Sequence, residues 1–122
     1  MDAKRAELES KLEFYLRQAA LLASQLQAVD QGGQTPHFDQ IELPAHEVGQ
    51  QLSRMIQSTR SREVAAESLD ESPCPDCGHL CRVETCDREV KSMDGPIELT
   101  ETVANCPRCR RSFFPSTGGA GL

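Results

Sequence analysis

Two cysteine pairs, Cys74-Pro-Asp-Cys77 and Cys106-Pro-Arg-Cys109, restrict what this chain can fold into more than any other feature. Each pair offers two sulfurs from one tight turn. A chain that doubles back between the turns brings four sulfurs to the corners of a tetrahedron, the donor set of a structural zinc site. The intervening sequence is suited to doubling back: Leu80 to Val90 alternates loosely, Asp94-Gly95-Pro96 makes a turn, and Ile97, Leu99 and Val103 share one face of a second strand. Cys74, Cys77, Cys106 and Cys109 are therefore the expected ligands of one zinc ion, Zn2+, closing the two ends of a β-hairpin. Four thiolates leave no open position for a catalytic water, so hydrolysis at this ion is not expected. So small a sheet buries little apolar area, and the metal would supply much of its folding free energy.

Gly78 follows the first pair and suits the tight backbone by which amides approach cysteine sulfurs. Arg110 stands at the equivalent place after the second pair, either relaxing that turn or setting a cation beside the thiolates. Cys81 and Cys86 have no complementary pair left over and read as small, reduced strand residues; substitution for a ligand or a second site is the other reading. His79 is an alternate donor or a surface residue. His37 and His46 lack a second donor at useful spacing and read as surface histidines. A redox dithiol of the thioredoxin kind would need a βαβ setting that this stretch does not suggest, leaving zinc-linked redox sensing as the alternative.

All six cysteines fall between residues 74 and 109, and Met1 is followed by Asp2, Lys4 and Arg5 without an apolar signal core. Nothing marks export, and in a reducing compartment paired Cys-x-x-Cys turns read as metal sites rather than disulfides. No apolar run approaches the ~20 residues that span a bilayer. The expectation is a soluble, cytoplasmic protein.

Upstream of the cysteines the pattern changes period. Asp2 to Asp30 contains no Pro or Gly, and Leu8, Leu12, Tyr15, Ala19, Leu22, Leu26 and Val29 recur at alternating steps of four and three. That is a heptad seam on a helix ~44 Å long. Leu16 and Leu21 widen the face, so a neighbouring helix of the same chain and a second chain are both open as its cover. Gln31-Gly32-Gly33-Gln34-Thr35-Pro36 ends the helix. After a short segment from His37 to Leu43, Pro44 suits the first turn of a second helix, whose Ala45, Val48, Leu52 and Met55 keep the same rhythm. By Glu67 the pattern dissolves into an acidic hinge ending at Pro73.

With only five aromatic side chains, a single large core is not expected. Residues 1 to 73 carry seven Lys or Arg against twelve Asp or Glu, so the helical part holds almost all of the net charge of -6. Bulk charge opposes a phosphate backbone, and only a local basic spot could meet DNA. Arg108, Arg110 and Arg111 form such a spot beside Phe113 and Phe114, as a contact for phosphate and stacked bases or as a charged rim on a final strand.

The string from Cys74 onward, CPDCGHLCR, then MDGPIELTET, then CPRCRRSFFPSTGGAGL, resembles the N-terminal region of bacterial insertion-sequence transposases of the ISKra type. HFDQIE upstream looks like that group's Phe-x-x-Ile-Glu segment, and the likeness spans residues 37 to 122. The resemblance implies a zinc ribbon with Gly95 at its hairpin turn, and a part in DNA transposition as the module that helps hold an element end. Members of the group continue into a long catalytic part with metal-binding carboxylates, whereas this sequence stops at Leu122. The resemblance thus implies a truncated or free-standing relative, or a fragment, without a nuclease centre.

The fold class expected is α+β: long N-terminal helices, as a helical hairpin or a coiled coil, followed by a small antiparallel zinc ribbon. The expected segments are a self-associating helical arm (1–67), an acidic linker (68–73), the ribbon (74–115) and a flexible tail (116–122). The expected role is a non-enzymatic DNA-binding module engaging an element end or a transposase. The alternative is a zinc-stabilised protein interaction module without nucleic-acid binding.

Overall fold

A computed structural model describes residues 2–68 and 70–115. Its elements are α1 (Asp2–Gln31), α2 (Phe38–Ala66), β1 (Glu71–Pro73), β2 (Leu80–Ser92), β3 (Gly95–Cys106) and β4 (Arg111–Phe113). The four strands form one antiparallel sheet in the order β1-β2-β3-β4. Two long helices followed by a small sheet make this an α+β fold. The chain divides into two compact units, Met1–Gly49 and Gln50–Leu122. Residues 116–122, read above as a flexible tail, lie outside the described residues.

In the first unit, α1 runs unbroken because good helix formers fill it, and three i,i+4 ion pairs, Arg5–Glu9, Lys11–Glu7 and Arg17–Glu13, lie along its surface. It ends in a glycine cap: Gly32 and Gly33 take positive φ, 59° and 82°, and the Gly32 amide donates to the Val29 carbonyl. None of its residues is buried. The seam expected from Leu8 to Val29 is present as an apolar stripe open to solvent.

The second helix starts at Phe38, six residues before the expected Pro44. Two features explain the difference. At the start, the Gln40 side chain accepts a bond from the His37 amide at 2.8 Å, one half of a capping box, and Asp39 adds negative charge to the first turn. At Pro44, the missing amide leaves the Gln40 carbonyl without its helical donor. Gln31 of α1 donates to that oxygen at 3.3 Å, and Gln27 to the next carbonyl, of Ile41, at 3.2 Å. The side chains of one helix thus let the other keep a proline in its interior.

In the second unit, β2 and β3 form a long hairpin closed by Met93 and Asp94, with Gly95 opposite Ser92 at a φ of 115°. The strands run closer to the turn than the sequence suggested. Glu71–Pro73, inside the stretch expected as linker, pairs with Leu80–Arg82 as the edge strand β1. The hairpin is buried on opposite faces at its two ends. Near the sulfurs, Cys81, Val83, Ala104 and Cys106 form the core with Cys74 and Phe113. Toward the turn, Ile97 and Leu99 line a shallow apolar groove with Ile56 and Val64 of α2. Polar bonds fix α2 along this end: Ser53 to the Asp94 carboxylate, Arg54 to the Asp94 carbonyl at 2.9 Å, and the Thr100 amide to Ser61 Oγ at 3.2 Å. Midway, Glu101 and Thr102 are both buried, one on each face.

Candidate metal centre

The two cysteine turns have the same backbone. In the first, Cys74 follows β1, the Gly78 amide donates to the Cys74 carbonyl at 2.8 Å, and Gly78 has a φ of 77°. In the second, Cys106 ends β3, the Arg110 amide donates to the Cys106 carbonyl at 2.7 Å, and Arg110 has a φ of 56°. Each turn therefore closes with a left-handed residue two past its second-to-last neighbour in the motif, directly after the Cys-x-x-Cys. The Cys74 amide, bonded to the His79 carbonyl at 2.9 Å, anchors the first turn to the start of β2.

This arrangement brings Cys74, Cys77, Cys106 and Cys109 together, with all four sulfurs within 4.8 Å of one another. Two of the separations are 3.9 Å, Cys74 to Cys109, and 3.5 Å, Cys77 to Cys106. A tetrahedral ion with Zn–S bonds of ~2.3 Å sets sulfurs ~3.8 Å apart, so the cluster fits such an ion with small adjustments. The donor set is all sulfur, which selects a soft or borderline metal such as zinc over magnesium or calcium. The four-cysteine cluster makes this a metal-binding module.

Electrostatics within the cluster are uneven. The Cys109 amide donates to Cys106 Sγ at 3.4 Å, and this bond above all, with lesser help from the Cys77 thiol and the Arg108 amide, lowers the Cys106 pKa to about 6. Cys109 is pushed up to about 12, first by its thiol contact with Cys77 and then by burial. With only protons to share, the sulfurs hold one ready thiolate against a neighbouring thiol that gives up its proton reluctantly. A divalent cation removes that conflict by stabilising all four thiolates.

Cys81 is buried beside the cluster but directs its thiol to the His79 carbonyl at 3.3 Å, and burial raises its pKa. Cys86 lies half-buried opposite Glu101, farther along the hairpin. Neither belongs to the four-sulfur group, nor do His79, His37 or His46 among the described residues. Of the three arginines singled out for nucleic acid, Arg108 and Arg110 project from the second turn as exposed residues. Arg111 opens β4 and meets Asp76 of the first turn at 3.2 Å, an exposed ion pair that links the two turns. Phe113 packs on the core whereas Phe114 is 43% exposed. Asp76 was not distinguishable in the sequence, since two turns brought together by one ion do not say which of their other side chains meet.

No helix among the described residues is long and apolar enough to cross a membrane. Comparison with protein-family models, with curated proteins and with solved structures finds no match to the chain.

Proposed function

We propose that this chain is a non-enzymatic zinc-ribbon module that contacts DNA through the arginines of its second cysteine turn. The observation that carries the reading is the backbone of Arg110. A left-handed conformation costs an L-residue about 1 kcal/mol that glycine would avoid, and strain of this kind is retained where the side chain serves a purpose. Here Arg110 and Arg108 are both exposed on the second cysteine turn, at the ribbon's sulfur end. Arg side chains so placed suit phosphate oxygens. Kinship with the N-terminal region of ISKra-type transposases is supported by the order of the sequence motifs, and would make the ligand an element end. The four sulfurs complete the zinc ion's coordination, which supports a structural rather than a catalytic ion. The reading calls for a reducing compartment such as the cytoplasm, where the thiols stay available to the metal.

A second reading, a protein interaction module stiffened by zinc, is favoured by the open apolar stripe of α1 and the net charge of -6. One experiment separates the two. The zinc-loaded chain is titrated onto labelled duplex and single-stranded DNA between 50 and 200 mM salt (about a two- to tenfold loss of affinity is expected for one to two phosphate contacts). Arg108→Ala with Arg110→Ala should weaken binding and flatten the salt dependence by about one to two counterions. Binding that ignores both salt and these substitutions, or is absent, supports the interaction module instead.

A further inference from the structure

We propose that α1 pairs with α1 of a second copy of this chain, parallel and in register, through the seam that runs from Leu8 to Val29. The inference does not depend on the metal site. A helix of 30 residues with no buried residue lacks what normally holds helices in proteins, the packing of an apolar face. Leu8 is 56% exposed and Val29 75%, and the stripe between them is open throughout.

The seam is self-complementary. Leu12, Ala19 and Leu26 stand at the a positions of successive heptads, and the residues from Leu8 to Val29 at steps of seven stand at d. Two such stripes would remove on the order of 1,200 Å² from water, the lower end of what specific interfaces bury.

Orientation follows from the flanks. In a parallel pair each g residue lies against the e residue of the next heptad on the other helix. Lys4 then meets Glu9 of the second copy, twice by symmetry; Lys11 lays its stem on Leu16, and Gln25 reaches Asp30. No like charges face each other across these flanks. Glu9 already holds Arg5 of its own helix at 2.7 Å, which offsets the charge where the seam begins. Antiparallel registers instead set g against g and e against e. Glu9 would then face Ala23 or Asp30, and Lys4 would lie beyond the end of the other α1.

Sedimentation equilibrium of the zinc-loaded full chain tests this. The wild type and Ser24→Asp, on the opposite side of the helix, should be dimers, and Leu22→Asp should dissociate at least about 100-fold more readily. Cys106→Ser should remain dimeric, which separates the helix pair from the metal. Lys4→Glu and Glu9→Lys should each weaken the dimer by roughly 3- to 10-fold, and the double variant should bind more tightly than the two losses combined predict. A monomeric or trimeric wild type, or a Leu22→Asp dimer as tight as the wild type, overturns the pairing and leaves the stripe to another protein. Strictly additive charge variants overturn the parallel register.

Discussion

Gly78 and Arg110 occupy the same place in the two cysteine turns: each takes a left-handed backbone and each donates its amide to the carbonyl of the cysteine four residues before it. Only one of them is the residue that this backbone prefers. Arg110→Gly should therefore raise the stability of the zinc-loaded chain by about 0.5 kcal/mol, the relieved strain less the entropy that glycine loses on folding. Gly78→Ala should lower it by about 1 kcal/mol through backbone strain alone, since a Cβ there meets nothing within 4 Å. Thermal melts of the two variants check both signs. If Arg110→Gly also loses DNA binding, the arginine is kept for contact and not for the fold.

Removing the metal separates ligands from bystanders. Cys106→Ser takes one of four sulfurs out of the cluster, and the chain should lose its one zinc per chain in native mass spectrometry. Cys81→Ser should keep the ion, because its sulfur lies outside the four-sulfur group, although burying a hydroxyl among apolar neighbours should cost about 1 kcal/mol. Equal loss of zinc in both variants would mean that the ligand set has been assigned wrongly.

The sulfurs were legible in the sequence because a Cys-x-x-Cys turn fixes its own geometry and needs only a hairpin to meet its counterpart. The first helix was legible because Asp2 to Asp30 offers no breaker. What escaped depends on groups distant in sequence. Pro44 signals a helix start only if the carbonyl four residues before it has no other donor, and here Gln31 supplies one from α1. Glu71–Pro73 reads as a hinge because three residues ending in proline have no strand pattern of their own; pairing with Leu80–Arg82 makes them a strand. Arg111 reads in the sequence as one of three clustered cations, and only the fold sets Asp76 opposite it. The sequence likewise shows an apolar stripe on α1 without showing that its residues stay exposed.

Acidification should release the metal. Every ligand must be a thiolate when zinc binds, and Cys109, pushed up to about 12, carries a proton throughout the neutral range when no cation is present. At least one proton therefore leaves on binding, so zinc affinity should fall about tenfold or more for each unit the pH is lowered from 8 to 6. Below about 6, where Cys106 also takes up a proton, the fall should steepen. Competition with a chromogenic chelator at several pH values measures this slope, and a flat profile would contradict thiolate ligation.

Arg88 and Glu101 make an ion pair of unequal exposure, the arginine side chain at 59% and the glutamate side chain at 3%. The carboxylate is buried on one face of the sheet, whereas the arginine retains access to water. Deleting the arginine should therefore cost more than the pair's Coulombic attraction, because it leaves a buried charge without a counterion. Arg88→Ala should destabilise the zinc-loaded chain by about 1 to 2 kcal/mol, discounted from a fully buried pair because solvent screens the exposed end. Glu101→Gln should cost less, since the neutral amide needs no counterion and its oxygen still accepts from Arg88. The double variant Arg88→Ala with Glu101→Leu removes the charge along with its need for a partner, and should recover much of the loss. Chemical denaturation of the four proteins compares these losses; an Arg88→Ala variant as stable as the wild type would show that water, and not Arg88, satisfies Glu101.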